Sequence, residues 1–373
     1  MSTRYRLFIS ITPGLESLLA AELGELGLLT SSFELRTGGL ELAGDLELLK
    51  ALCRCSRLAE GVRVRVGKPT AVRDFKALEA VVARQPWHAF LRRGGPAPRL
   101  RVSCERSKLY HSDAVAERVA GAIARAVDLD VEANRDDDGE APLVHVRLVR
   151  DELQLSIDAV GERLHRRGYR RHVGQAPLRE TLAAACLRAA GYRGRRALWD
   201  PFCGSGTLLC EAVLAARGVA PGGAREFAFT RWPSLAGRAP DATRGPLTAA
   251  SALAIGSDRD HGVLRAAQTN VARAGLRGAV ALLAGEPQSV ADQIPAGALL
   301  VCNPPYGRRL SRSSRELVAT YRQLTELLTR RRDLEAWVLT SAGELLRAPR
   351  LCWEVALRFD NRGLRVALWQ LRR

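Results

Sequence analysis

The chain has 373 residues, 47% hydrophobic and 26% charged, with 57 basic against 40 acidic residues and a net charge of +17. That balance excludes a disordered or fibrous chain and favours a polyanionic partner, nucleic acid first. The opening Met-Ser-Thr-Arg-Tyr-Arg has no apolar signal core, and no stretch approaches the roughly 20 apolar residues of a membrane span, so no membrane partner is expected.

Only Lys50, Lys68, Lys76 and Lys108 are lysines. Codon usage accounts for much of that arginine preference, but not for the excess of bases over acids. The eight cysteines are scattered, and Cys53 and Cys55 have no second pair at zinc-ligand spacing. Reduced thiols, a cytoplasmic setting and no metal site are expected.

Residues 5–11 read as a strand, and Thr12-Pro13-Gly14 leads into a helix with Leu15, Leu18, Leu19 and Leu23 on its apolar face. Gly38-Gly39 turns into a strand at 40–42, Asp45 caps a helix carrying Leu46, Leu49 and Leu52, and residues 57–66 return as a strand. This β-α-β-α-β order predicts a ferredoxin-like α+β unit over residues 1–68. A second α+β unit is predicted over 69–165. Its parts are a helix with Phe75, Leu78, Val81 and Val82 inward, a strand at 99–104, and a helix capped by Ser112-Asp113 with Val115, Val119 and Ile123 inward. A solvated acidic loop at 134–140 and a hairpin of 143–149 with 153–159 complete it.

The join, residues 164–172, is dense in Arg166, Arg167, Tyr169, Arg170 and Arg171. It reads either as a solvated linker or as a basic, aromatic strip against RNA backbone. A helix starts near residue 176.

Residues 198–211 organise the remainder. Leu198 and Trp199 end an apolar strand, Asp200-Pro201 and Gly204-Ser205-Gly206 make a tight corner, and a helix leaves from Thr207 with Leu208, Leu209, Ala212 and Val213 inward. Strand, glycine corner and helix N-terminus form an anion-binding nest. The third glycine of a dinucleotide fingerprint would fall at 209, which is Leu, so nicotinamide or flavin binding loses support. Residues 218–250 read as an insertion. A second strand at 252–257 ends at Asp258, which either faces a ribose or caps the helix starting near His261. That helix carries Val263, Ala266, Ala267, Asn270 and Ala274. Strands follow at 280–283 and 299–302, the latter closed by Asn303-Pro304-Pro305-Tyr306-Gly307-Arg308-Arg309. A helix at 317–328, a strand at 335–340 and an antiparallel pair over 351–371 finish an α/β half.

The pairing of Asp-Pro-Phe-Cys-Gly-Ser-Gly-Thr at 200–207 with Asn-Pro-Pro-Tyr-Gly at 303–307 resembles the class I S-adenosylmethionine-dependent methyltransferases. More narrowly it resembles the THUMP-domain RNA guanine-N2 methyltransferases of ribosomal and transfer RNA. Thr-Pro-Gly-Leu-Glu at 12–16, the segment 103–113 and Arg-Arg-Gly-Tyr-Arg at 166–170 extend the likeness along the chain. The resemblance implies a Rossmann-like class I methyltransferase domain over 166–373, preceded by the ferredoxin-like unit and a THUMP RNA-binding domain at 69–165.

It also implies S-adenosylmethionine as cofactor, held by Asp200, Pro201, Cys203, Gly204, Ser205, Gly206, Thr207 and Asn303, with Asp258 on the ribose. Glu286 stands where the family usually has an Asp on the adenine. Asn303, Pro304, Pro305 and Tyr306 would be the catalytic residues: two carbonyl acceptors for the amine, a rigid backbone and a stacking face. Arg166, Arg167, Tyr169, Arg170, Arg171 and Arg308 would meet structured RNA, ribosomal before transfer, and a monomer is expected. Two rivals stand beside this: methylation of protein glutamine or adenine-N6, and a non-catalytic RNA-binding protein. The intact Asn-Pro-Pro-Tyr counts against the second.

Overall fold

The computed structural model describes residues 3–29, 32–130, 141–171, 178–223, 225–236, 253–306, 314–361 and 363–373. The N-terminal half runs β1 (Tyr5–Ser10), α1 (Glu16–Glu25), β2 (Phe33–Arg36), β3 (Gly39–Gly44), α2 (Leu46–Cys55), β4 (Gly61–Ala71), α3 (Phe75–Ala83), β5 (Arg99–Glu105), α4 (Ser112–Val127), β6 (Leu143–Val149) and β7 (Glu152–Asp158). Its seven strands make one sheet of order β2-β3-β1-β4-β7-β6-β5. The expected boundary at residue 68 falls inside β4, which pairs with β1 on one side and β7 on the other. The two α+β units therefore share one sheet.

Period-two burial decides the faces of that sheet. Leu7, Ile9, Val62, Val64, Val66, Val144, Val146, Leu155 and Ile157 are buried on one face, in a core they share with Leu49 and Leu52 of α2 and Val115, Val119 and Ile123 of α4. Arg6, Phe8, Arg63, Arg65, His145 and Arg147 occupy the alternate positions, on the opposite face. Asp45 caps α2 as expected, accepting from the Leu48 amide at 3.0 Å. The cap foreseen for α4 differs: His111 stands at the cap without a side-chain bond, and Ser112 and Asp113 lie in the first turn, where Asp113 complements the helix dipole. Strand β2 escaped the pattern because all four of its residues are exposed at the sheet edge.

The second half contains α5 (Glu180–Ala189), β8 (Leu198–Asp200), α6 (Thr207–Ala216), β9 (Ala254–Asp258), α7 (His261–Arg273), β10 (Val280–Ala284), α8 (Pro287–Val290), β11 (Leu299–Cys302), α9 (Ser314–Arg330), β12 (Glu335–Thr340), β13 (Cys352–Asn361) and β14 (Leu364–Arg372). The sheet order is β10-β9-β8-β11-β12-β14-β13; the first five strands are parallel and β14 is antiparallel to β12. Both faces of this sheet are covered. Leu299 and Val301 belong to one apolar core with Leu209 and Val213 of α6, whereas Leu300 and Cys302 join another with Tyr321 and Leu324 of α9. Strand order reverses between β8 and β11, so the carboxyl ends of these neighbours flank a crevice.

The described part of the insertion is a docking element rather than a solvated loop. Phe227, Phe229, Trp232 and Leu235 are buried, and Trp232 meets Phe90 of the N-terminal half edge to face at 5.0 Å. The Ser234 hydroxyl donates to the Ala89 carbonyl at 2.7 Å. One apolar core thus runs through both halves. All eight cysteines are free. Among the described residues, no helix is long and apolar enough to cross a membrane, and no cluster of His, Cys, Asp or Glu is placed to hold a metal ion.

Candidate active site

The corner after β8 is laid along the end of β9. The Cys203 amide donates to the Ser257 carbonyl at 3.0 Å, the Gly204 amide to Asp258 Oδ2 at 3.1 Å, and Trp199 Nε1 to Ser257 Oγ at 3.2 Å. This approach requires Gly256, directly opposite Asp200 in β9: a Cβ there would stand 2.4 Å from Leu209 Cδ1 and 2.9 Å from Cys203 Cβ. Gly206 caps α6 with φ of +82°, a conformation that glycine adopts without penalty, and no side chain caps this helix. Its first-turn amides are left facing the crevice mouth, the polarity that suits an anion or a carboxylate.

Asp258 does not cap the following helix; Asp260 does, through the Gly262 and Val263 amides at 2.7 and 3.2 Å. Both oxygens of Asp258 accept backbone amides, from Gly204 and Asp260, which fixes the carboxylate and leaves each oxygen a further lone pair. The Glu286 carboxylate accepts from Gln323 Nε2 at 3.0 Å and stands 3.7 Å from Arg259.

Asp200 is 2% exposed, and among the described residues its carboxylate accepts one hydrogen bond, from the Phe202 amide at 3.1 Å. Burial, with a smaller push from the charge of Asp258, raises its pKa to about 8. Since the folded-state pKa lies above the unfolded one, the stability tied to Asp200 is fully present below about pH 4 and is lost as pH climbs through 8. Melting of Asp200→Asn across that range should fall less steeply than wild type. Parallel curves would show that Asp200 ionises freely in the folded protein.

Across the crevice, Asn303 follows β11, and its Oδ1 is buried with no hydrogen-bond partner among the described residues. An orphaned carbonyl acceptor here costs roughly 1–3 kcal/mol, which a donor on a ligand would recover. Tyr306 packs against both apolar cores of this half. Its hydroxyl accepts from Asn361 Nδ2 at 3.2 Å, and burial pushes its pKa up to about 12. Asn361 stands at the end of β13, within the antiparallel pair expected over 351–371. Asn270 was hidden. It stands as the one polar residue on an otherwise apolar helix face, donates to the Ser205 carbonyl at 3.0 Å and accepts the Arg171 amide at 3.1 Å.

The basic join requires correction. Arg167, Tyr169 and Arg170 do not face solvent and are not placed to meet RNA. Tyr169 is 4% exposed and donates to Glu211 Oε1 at 3.2 Å. The Arg167 side chain is 3% exposed, 3.7 Å from Glu211, and donates to the carbonyls of Leu164 and Arg57 at 2.7 and 2.6 Å. Arg170 pairs with Glu180 at 3.3 Å and donates to Thr207 Oγ1 at the start of α6. Arg57, from the N-terminal half, also binds Glu211 at 3.2 Å. Two buried carboxylates draw these side chains inward, so the run fastens the halves together. Arg166 and Arg171 are exposed. Arg308 lies outside the described residues.

A doubly wound sheet with an antiparallel last strand, a glycine corner after its first strand and Asn-Pro-Pro-Tyr after its fourth defines a class I methyltransferase fold. The chain belongs to the RMKL-like methyltransferase family. Residues 167–349 match the RMKL-like methyltransferase domain, and residues 6–63 match the RlmL ferredoxin-like domain. A Synechocystis protein described as a candidate RNA methyltransferase is 33% identical over 96% of this chain and 94% of its own length. "Ribosomal RNA large subunit methyltransferase K/L" of Saccharophagus degradans is 33% identical over 99% of this chain but 51% of its own length, so the chain spans about half of such relatives. Among solved structures, a Listeria monocytogenes protein named as a predicted N6-adenine-specific DNA methylase superposes with a TM-score of 0.79, at 26% identity, covering 99% of this chain and 96% of that one.

Proposed function

We propose that this protein transfers a methyl group from S-adenosylmethionine to the exocyclic N2 amine of a guanosine in structured RNA, large-subunit ribosomal RNA before transfer RNA. The observation that carries the reading is the buried, unpartnered Oδ1 of Asn303, an acceptor held ready at the end of β11 beside the glycine corner. The corner fits the cofactor: uncapped amides at α6 suit its carboxylate, and the braced Asp258 keeps lone pairs for ribose hydroxyls. Bound there, S-adenosylmethionine would supply an electrophilic methyl group on a sulfonium.

The chain's own residues do the rest by positioning. An amine conjugated to a purine is a poor nucleophile, because its lone pair is delocalised into the ring. Asn303 Oδ1 and the Pro304 carbonyl accept its two N–H bonds, turn the lone pair toward the methyl group and stabilise the charge that grows on nitrogen. The prolines hold these acceptors without reordering. Tyr306, its hydroxyl tethered by Asn361, offers a face to a base that has left its stack. Glu286 would meet the adenine.

The names of the relatives support RNA, and those called K/L support ribosomal RNA. Residues 69–165 are assigned here to a THUMP module, and the protein to a cytoplasmic monomer. The second reading, adenine-N6, draws on the name of the Listeria protein. Incubation with labelled S-adenosylmethionine and separately with ribosomal RNA, transfer RNA, DNA and protein extract tests this. Label in N2-methylguanosine is expected; label in N6-methyladenine or glutamine, or none at all, overturns it. In calorimetry, Asp258→Ala should weaken cofactor binding at least tenfold, and unchanged affinity would leave Asp258 a brace for the loop alone.

A further inference from the structure

With three of the join's side chains turned inward, the unspent positive charge of the N-terminal half lies elsewhere, on the sheet face opposite α2 and α4. Arg65, Ser156, His145 and Arg101 stand opposite one another in the successive strands β4, β7, β6 and β5. Arg63, opposite Phe8, and Arg147 flank this row, and Arg163 stands close enough to act on both His145 and Arg63. Arg101, Arg147 and Arg163 are exposed, and Arg63 is half-buried. His145 forms the floor and is 8% exposed. Burial, then the charges of Arg63, Arg101, Arg65 and Arg163, lowers its pKa to about 3.

Acids offset only part of this cluster's charge. Glu41 is committed to Arg6 and Arg65, at 2.5 and 3.0 Å. Asp158 lies beside Arg63 and offsets part of its charge, while its carboxylate also accepts the Gly161 amide at 2.5 Å. Glu105 and Glu152 lie beyond Arg147 along the strands, both against Val149, and away from Arg63, Arg101 and His145. Among the described residues, the guanidiniums of Arg63, Arg101, Arg147 and Arg163 have no ion pair. Folding that gathers unpaired guanidiniums around a buried imidazole opposes its own electrostatics, and a bound polyanion would offset that cost.

We propose that this sheet face binds the phosphodiester backbone of the RNA substrate. The proposal rests on the RNA reading above and extends it with a docking surface. From β1 to β5 the face crosses five strands, about 19 Å at roughly 4.8 Å per strand, a span that meets several phosphates. Exposed guanidiniums on an open sheet contact phosphate oxygens bidentately and read no sequence. They set where the RNA lies, while the crevice selects the base.

The test uses the full chain and transcribed large-subunit ribosomal RNA as probe, with binding measured over a range of salt concentrations. The triple variant Arg101→Gln, Arg147→Gln, Arg163→Gln should weaken binding at least tenfold and reduce the slope of log affinity against log salt by about two to three. A control of equal charge change, Arg93→Gln, Arg118→Gln, Arg125→Gln, alters arginines paired with Asp128 and Glu79 on the helix side, and should change the slope by less than one. Equal losses in the two triples, or an unchanged slope in the first, overturn the proposal, provided thermal melting shows both folded. The two readings fail separately. Wild type that binds and methylates this RNA while the first triple binds it equally well sinks only the docking face. Wild type that binds no RNA, or binds DNA equally well, sinks the RNA reading and the face with it.

Discussion

Asn303→Ala should reduce the single-turnover methylation rate by about 100- to 1000-fold while changing cofactor affinity by less than about threefold. The side-chain oxygen is buried and has no hydrogen-bond partner among the described residues, so its bond to the target amine would displace no protein contact. As nitrogen attacks, positive charge grows on it and the acceptor bond strengthens. Removing an acceptor aimed at developing charge costs on the order of 3–4 kcal/mol of transition-state stabilisation. On the proposed function, cofactor binding would draw chiefly on the glycine corner and on Asp258, which the Gly204 amide braces. Single-turnover rates with saturating cofactor, set beside calorimetric affinity, separate the two contributions. Equal losses in rate and affinity would make Asn303 a cofactor ligand only.

Glu211→Ala should destabilise the protein by about 3–5 kcal/mol. Glu211 is 1% exposed on α6, and its carboxylate holds Arg57 of the N-terminal half, Arg167 of the join and the Tyr169 hydroxyl. Truncation strands two guanidiniums whose side chains are only 15% and 3% exposed. Stranded buried charge, rather than the worth of the pair itself, sets that magnitude. Burial already lowers the pKa of Arg57, so the charge left behind is poorly tolerated. Urea unfolding monitored by tryptophan fluorescence would measure the loss. Because the carboxylate ties one half to the other, the variant should also unfold over a broader transition, or in two. A double variant with Arg57→Met should recover part of the stability, since one stranded charge has gone. A loss below 1 kcal/mol would mean that water reaches this cluster.

Much of the fold was legible in the sequence because it rests on local periodicity. Val62, Val64 and Val66 announce a strand with one buried face, and Asp45 announces the start of a helix. The apolar runs at 197–199 and 299–302 belong to strands covered on both faces. The glycine corner and Asn-Pro-Pro-Tyr were readable for a related reason. A chain that must turn sharply at a ligand leaves glycine and proline at fixed positions. Topology explains why they belong together: β8 and β11 are neighbours at the point where strand order reverses, so residues a hundred apart open onto one crevice.

Tertiary structure decided what local pattern does not encode. An arginine's sequence neighbours do not say whether a carboxylate waits behind it. Arg167 and Arg170 read as solvent-facing from composition, yet Glu211 and Glu180 draw them inward. Arg63, Arg101 and Arg147 look unremarkable in three separate strands, and only sheet register places them on one face. Asn270 and Asn361 gain their roles from partners 65 and 55 residues distant. By itself the sequence determined strands, helices, the glycine corner, the Asn-Pro-Pro-Tyr turn and an excess of positive charge, all products of nearest-neighbour chemistry. Pairing between distant strands and burial of distant charges decided where that excess is spent, because desolvation and Coulomb energies depend on distance in space rather than along the chain.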